Sequence, residues 1–518
     1  MRMSKLNTKQ TEKYFSIDHI KSDLKYKAMQ GATATIFSQV AVYLIQMAGV
    51  MVLARILTPE DFGLVAMVTA IDVFVRMFRN LGLMDAIVQQ EEINHKQVST
   101  LFWINAAFGL SLTLIFMAMA PVVAWFYKEP RLVWIAILIS LDYVLGGIST
   151  QHRALLKRNL QMYKWAAIEV LATTIGFGIA IILAWQGWGY WAIVVRIIAH
   201  AAAQAVGSWI FCQWRPGRPA LGTGIRPMLR FGRNMLVNNF LNFVSESFDK
   251  ILIGRIYGAQ PLGYYSRAYH LFLAPAQQLS VPLTSVAVAT LSRLSNDPEK
   301  YTRYFLNAFS MVAFVGFPLS GVLTLSGKSI VLLLLGPQWE EAGNIFCVFG
   351  VGIGISILYA THLWLHMSLG RTDRLLRWSI FGSVVISIAF LMGLPYGPLG
   401  MAAAYTVAMH ILIGPCLWYA GQPIKLHLFL IVSRIWKIYI SALIAGLICW
   451  YVLFLFKSVA LIYDAQNVVL KIISATILYA LIHGILIICL HQSTKPISQF
   501  VNNVRDMMPK KKVYQSEA

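Results

Sequence analysis

The chain has 518 residues, 58% hydrophobic and 13% charged, where an ordinary soluble domain carries roughly 25% charge. A water-soluble fold could not cover that much apolar side chain, so the composition excludes it and points to a membrane protein. The formal net charge of +21 would suit nucleic acid, but its placement along the chain argues otherwise.

The first 27 residues are polar and hold seven Lys or Arg. The apolar run after them is long enough to span a bilayer and carries no cleavage signal, so Gly31–Ala54 is predicted as a retained first helix. Fourteen spans are predicted, near residues 31–54, 62–84, 98–126, 131–150, 165–185, 188–212, 231–257, 264–291, 304–326, 342–367, 375–394, 398–420, 434–456 and 468–490. Residues 378–424 lack Asp, Glu, Lys and Arg over 47 positions, too many for one span, and Pro395-Tyr396-Gly397-Pro398 supplies the dividing turn. Trp185-Gln186-Gly187-Trp188-Gly189 divides residues 165–212 in the same way.

The positive-inside rule supports this count. With the N-terminus in the cytoplasm, 31 of the 43 Lys and Arg fall in or beside inside segments and eight in outside connections. The positive charge then faces cytoplasmic lipid headgroups, and no nucleic-acid partner is needed. The five cysteines sit in apolar runs without CxxC spacing, which predicts packing cysteines, not disulfides or a metal site.

Residues 50–69 and 250–269 read as two copies of one segment. Arg55 matches Arg255, Ile56 matches Ile256, Gly63 matches Gly263, and small Ala54 matches Gly254. The copies end spans one and seven, which run in the same direction, so the period is six helices in parallel. The predicted organisation is a basic cytoplasmic tail (1–30), an N-lobe of six helices (31–212), a cytoplasmic linker (213–230), a C-lobe of six helices (231–421), two further helices (422–490) and a second basic cytoplasmic tail (491–518). The fold class is all-α and polytopic, with two six-helix lobes in parallel pseudo-twofold repeat.

Charges within spans are costly and mark pathways or pairs. Asp72, Arg76 and Arg79 are spaced i, i+4, i+7, on one helical face. Asp72 is expected to pair with Arg76. Arg76, Arg79, Arg196 and Lys250 are the candidate cationic lining for an anionic group, because the planar arginine fork binds two oxygens at once. For Arg79, snorkelling to headgroups is an equal reading. Asp72, Asp142, Glu169, Glu246 and Asp249 are the candidate acids for charge pairing or ion coupling, with Glu169 or Asp142 as partner of Arg196. Asn238 and Asn242 on span seven, and Gln39 and Gln46 on span one, form a polar cavity stripe. His362 and His366 have a metal-like i, i+4 spacing, but no third ligand lies nearby in sequence, so no metal is predicted. No Walker loop occurs, which excludes an ATPase engine within this chain.

Five segments carry a family resemblance. Ala54-Arg-Ile-Leu-Thr-Pro-Glu-Asp-Phe-Gly-Leu64 is followed by Asn80-Leu-Gly-Leu-Met-Asp-Ala86, Asp249-Lys-Ile-Leu-Ile-Gly-Arg255 by Leu262-Gly-Tyr-Tyr-Ser-Arg-Ala-Tyr269, and His152-Arg-Ala-Leu-Leu-Lys-Arg158 lies in the second inside loop. Together they resemble Wzx-type polysaccharide flippases of the MOP (multidrug/oligosaccharidyl-lipid/polysaccharide) superfamily, in the branch of colanic-acid, capsule and lipopolysaccharide exporters. The resemblance runs over residues 28–490. It implies a V-shaped pair of lobes around a cavity and an undecaprenyl-diphosphate-linked oligosaccharide as substrate, turned across the bacterial inner membrane by alternating access. It also implies membrane lipids and polysaccharide polymerase or assembly proteins as partners, and no cofactor or enzymatic reaction. Drive comes from a proton or sodium gradient or from consumption of substrate outside. A cation-coupled small-molecule exporter of the same superfamily, and a membrane-embedded polymerase, are the alternatives.

Overall fold

The computed structural model describes residues 24–79, 84, 87, 88, 90, 93–220, 247–459, 468–494 and 498. Among them there is no β-strand. Among the described residues eleven helical stretches are long and apolar enough to cross a membrane, and two of these, Pro337–Ser368 and Thr372–Ile424, each hold two α-helices. The chain is therefore a multi-pass membrane protein. The helix Pro59–Arg79 carries too many charges to count among the eleven, and the predicted seventh span lies partly outside the described residues. The predicted count of fourteen fits this arrangement.

The helices divide into two units, residues 1–266 and 267–518. The first holds α1 (Leu24–Ile56), α2 (Pro59–Arg79), α3 (His95–Tyr127), α4 (Leu132–Arg158), α5 (Met162–Trp185), α6 (Tyr190–Phe211) and α7 (247–257). Helix α8 (Ala259–Arg293) begins in the first unit and ends in the second. Within the first unit α3 packs on α4, α4 on α6, α6 on α5 and α5 on α1, while α2 lies against α4 and α6. Small residues set these crossings: a Cβ on Gly109 would meet the Tyr143 carbonyl at 2.6 Å, and one on Gly147 the Asn105 carbonyl at 2.6 Å. Lipid is as apolar as Leu, so close backbone approach and dispersion replace the hydrophobic drive between helices.

The predicted turn at residues 185–189 forms as expected, with Gly187 and Gly189 at φ of +81° and +55°, angles that favour glycine. The linker after α6 is strapped back onto the first turns of α3. Trp103 Nε1 donates to the Gly217 carbonyl at 2.8 Å, the Gly217 N–H donates to Ser99 Oγ at 2.9 Å, and Trp214 Nε1 donates to His95 Nδ1 at 3.1 Å. Trp214 is buried with Phe102, Leu101, Leu155 and Ile168 in one apolar cluster.

The second unit holds the rest of α8, then α9 (Pro298–Leu335), α10 (Glu340–Tyr359), α11 (His362–Ser368), α12 (Thr372–Gly393), α13 (Gly397–Gly421), α14 (Leu428–Val459) and α15 (Val468–His491). Asp297 caps α9 by accepting the Lys300 N–H, with Pro298 at the first helical position. Helix α9 runs on to Leu335, past the predicted end near 326. The run Ile330-Val-Leu-Leu-Leu-Leu335 keeps it helical, and Lys328 then pairs with Glu340 at 2.6 Å. The predicted tenth span is broken after Tyr359 into α10 and α11. The predicted turn at Pro395 forms, with Gly397 at φ +70°. The last two helices pack on each other and on α9, where Tyr479 of α15 lies against Gly321 and donates to the Ala442 carbonyl of α14 at 3.2 Å. All five cysteines are free. Cys212, Cys416 and Cys449 are buried and Cys347 half-buried, but Cys489 is exposed, so packing accounts for four of them.

Candidate functional site

The repeated segments explain themselves locally. Thr58 and Asp61 cap α2 reciprocally: the Thr58 N–H donates to Asp61 Oδ2 at 2.9 Å, and the Asp61 N–H to Thr58 Oγ1 at 3.2 Å. Pro59 takes the first helical position, where no N–H is needed. One turn on, Gly63 meets the start of α8. A Cβ there would lie 1.8 Å from the Ala259 carbonyl oxygen, and one on Gly263 would lie 1.9 Å from the Pro59 carbonyl oxygen. The two copies of the repeat thus meet reciprocally, each glycine under the other copy's first turn. The first copy thus encodes a helix cap, and the paired glycines a backbone crossing.

The chemistry lies further along α2. Asp72 is 1% exposed and accepts hydrogen bonds from Arg76 Nε and from the Tyr143 hydroxyl of α4. Arg76 NH2 lies 3.4 Å from Asp142 Oδ2, also on α4, and the Arg76 side chain stays 34% exposed. Asp72 is therefore a positioning group. It accepts from two donors and fixes the guanidinium of Arg76, with N–H donors left over for an anion. Arg196 of α6 stacks its guanidinium 4.9 Å over the Phe177 ring of α5 and lies within Coulombic range of Arg76. The two arginines thus stand on helices that pack against each other, and Asp72 and Asp142 offset the charge of Arg76.

The expected partner of Arg196 was Asp142 or Glu169, and the geometry differs. Asp142 is taken by Arg76 from α2. Glu169 is taken by three side chains that sequence reading missed: Gln204 Nε2 donates to its Oε2 at 2.7 Å, Arg153 NH2 lies at 3.7 Å, and His200 Nε2 lies 3.7 Å from its Oε1. His200 and Gln204 follow Arg196 at four and eight residues, so a helical wheel places all three on one stripe of α6. That stripe was the available signal. Tyr143 was also missed, although it adjoins Asp142.

Asp249 of α7 is 2% exposed. Its carboxylate accepts the Tyr265 hydroxyl at 2.8 Å and the Lys250 backbone N–H at 2.8 Å. Lys250 is half-buried on the same helix. The Gly-Tyr-Tyr-Ser segment thus supplies a buried donor to the Asp of the preceding segment. Gln39 and Gln46 are exposed on α1. Asn238, Asn242 and Glu246 lie outside the described residues, as does the side chain of Arg79. His362 Nδ1 lies 2.6 Å from the Tyr359 carbonyl and His366 is buried. Among the described residues no group of three or more His, Cys, Asp or Glu could hold a metal ion.

The chain is 24% identical to the teichuronic acid biosynthesis protein TuaB of Bacillus subtilis (strain 168), over 82% of this chain and 88% of that protein. It is 24% identical to the lipopolysaccharide biosynthesis protein WzxC of Escherichia coli (strain K12), over 71% and 76%. It is also 24% identical to the succinoglycan biosynthesis transport protein ExoT of Rhizobium meliloti (strain 1021), over 89% and 92%. The fold resembles that of the lipid II flippase MurJ in an inward closed conformation, with a TM-score of 0.68 at 14% identity, covering 88% of this chain and 98% of that one. It also resembles an inward-facing multidrug resistance MATE transporter of the MOP superfamily, with a TM-score of 0.57 at 15% identity, over 74% and 94%. These likenesses establish the expected all-α MOP-type fold. A sequence profile of polysaccharide biosynthesis proteins matches residues 52–344, from the first copy of the repeat past the second, and the chain belongs to that family.

Proposed function

We propose that the protein turns an undecaprenyl-diphosphate-linked oligosaccharide, or a related polysaccharide precursor, across the bacterial inner membrane by alternating access. Both termini would lie in the cytoplasm. The observation that carries the reading is Arg76. It is held by Asp72 and Asp142 within an apolar helical bundle, yet it keeps a third of its side chain open. A guanidinium fixed in this way suits a diphosphate, whose oxygens take its remaining donors, and Arg196 adds a second cation. Relatives named for lipopolysaccharide biosynthesis and succinoglycan transport, and a fold shared with a lipid II flippase, support the same reading. Lys250 and Arg79 belong to the proposed cationic lining, and Gln39, Gln46, Asn238 and Asn242 to its polar wall. Drive by an ion gradient, with Glu169, Glu246 or Asp249 among the acids involved, completes the proposal. A cation-coupled exporter of cationic compounds would leave acids here open for its cargo, and instead Asp72 and Asp142 are both engaged by Arg76.

A strain lacking the protein tests the reading. It should accumulate lipid-linked oligosaccharide units that a membrane-impermeant sugar label cannot reach from outside. Units that are single but reachable from outside would indicate a polymerase and overturn it.

A further inference from the structure

The Glu169 cluster joins three helices in the apolar part of the first unit, and the anion site does not use it. Glu169 stands on α5, His200 and Gln204 on α6, and Arg153 on α4. Arg153 is fixed on every side. Its guanidinium lies 4.3 Å over Trp165, donates to Gln204 Oε1 at 3.3 Å and sits 3.7 Å from Glu169. Gln204 in turn donates to Glu169. Arg153 and Glu169 balance each other, so the net charge of the cluster is set by His200. Its ring is 3.7 Å from the carboxylate, just outside hydrogen-bond distance, and its side chain is 30% exposed. Helices α5 and α6 cross closely here because Gly176 has no side chain: a Cβ on it would come within 3.2 Å of both the Arg196 carbonyl and His200 Cβ.

The neighbouring ionisable groups are committed elsewhere. On α4, His152 stacks on Trp209 with ring centroids 4.5 Å apart, and Asp142 pairs with Arg76. On α2, Asp72 and Arg76 hold each other. On α5, Lys164 reaches the Phe211 carbonyl, and on α6, Arg196 stacks on Phe177. Between Gly31 and Ala54, α1 offers Tyr43 as its one ionisable side chain. A metal cation would meet the fixed charge of Arg153. A proton needs no further ligand, and imidazole is the side chain that changes charge around neutral pH.

We propose that Glu169 and His200 form a proton-binding site whose occupancy strengthens the anion site at Arg196. A proton arriving on His200 closes the gap to Glu169 as a charge-assisted hydrogen bond and leaves the cluster with one net positive charge. His200 follows Arg196 by four residues on α6, one helical turn away, so that charge is felt by an anion on Arg196. By linkage, the bound anion raises the affinity for the proton in the same measure. This inference deepens the flippase reading and rests on it for the identity of the anion.

The test titrates farnesyl diphosphate into the purified full chain in nanodiscs at pH 6 and pH 8. Relative to His200→Gln, the wild type should bind about threefold or more tighter at pH 6 than at pH 8. His200→Lys, permanently charged, should hold the tight value at both pH values, and it serves if the glutamine variant does not fold. A parallel experiment follows the His200 ring resonance in 13C-histidine-labelled protein, assigned by its absence in His200→Gln. That resonance should respond to pH, and the response should differ in Glu169→Gln. Equal pH dependence in wild type and both His200 variants would overturn the proton site and leave the flippase reading standing. Absence of binding at either pH would count against the flippase reading. The ring titration would then decide the proton site alone, and a ring insensitive to pH or to Glu169→Gln would overturn it.

Discussion

Gly63 and Gly263 meet at one helix crossing, each beneath the other copy's first turn. A Cβ on Gly63 would stand 1.8 Å from the Ala259 carbonyl oxygen, and a Cβ on Gly263 1.9 Å from that of Pro59. Backbone oxygen cannot swing aside as a flexible side chain can. Gly63→Ala and Gly263→Ala should therefore each lower stability by about 1–3 kcal/mol. Because both act by spreading the same crossing, the double variant should lose clearly less than the sum. Thermal unfolding of the four proteins in one detergent checks this, and strict additivity would contradict the shared crossing.

Asp72 and Tyr143 predict a graded series. Tyr143→Phe removes one donor to a buried carboxylate and should cost about 1–3 kcal/mol. Arg76→Ala leaves Asp72 buried with its charge uncompensated and should cost more, about 3–5 kcal/mol. Replacing Asp72 and Arg76 together by apolar residues of similar size should restore much of the stability while abolishing transport. Melting curves together with a transport assay separate the two effects. A double variant that still transports would remove Arg76 from the site.

The cap of α2 has its own signature. Thr58→Ala deletes a side chain that bonds Asp61 in both directions, at 2.7 Å and 3.2 Å, and should cost about 1 kcal/mol. Thr58→Ser should be close to neutral. A Thr58→Ala protein as stable as wild type would mean that this Thr-Pro-Glu-Asp segment serves something other than the cap.

Outside the membrane-spanning helices, Arg131 holds the Glu129 carboxyl below its ordinary range by donating a hydrogen bond of 2.8 Å to it. A carboxyl whose folded value is depressed adds stability above its unfolded value, and that stability is lost as pH falls through the folded one. Glu129→Gln should thus be less stable than wild type at pH 7, by about 0.2–1 kcal/mol, and the two should converge as the medium is acidified below the carboxylate range. Melting temperatures at pH 7 and at stepwise lower pH test the sign. A gap that widened on acidification would contradict it.

Much of the fold was legible in the sequence because the bilayer imposes one length scale and one composition on every span. The turns at Gly187 and Pro395, the repeat and the Asp72–Arg76 spacing all followed from local rules. What the sequence hid was contact between helices. Nothing along the chain pairs Asp142 with Arg76 in preference to Arg196, or brings Arg153 and His200 to Glu169, because those choices depend on which helices cross closely. Gly176, Gly109 and Gly147 set such crossings, and a glycine in an apolar run does not name its partner. The break after Tyr359 and the long reach of α9 were likewise invisible to hydropathy, which marks where a helix can lie in lipid and not where it stops.

The central claim is that a lipid-linked diphosphate crosses the membrane on Arg76 and Arg196. Its most direct test reconstitutes the purified protein in liposomes with undecaprenyl-diphosphate oligosaccharide and follows sugar exposure on the opposite leaflet. An Arg76→Ala, Arg196→Ala double variant is measured alongside, at matched thermal stability. Protein-dependent exposure that falls by about tenfold or more in the variant, the loss expected when charged partners of a phosphate are removed, is the predicted result. Exposure at the wild-type rate in the double variant would contradict the anion site, and no exposure from the wild type under imposed proton and sodium gradients would contradict the function itself.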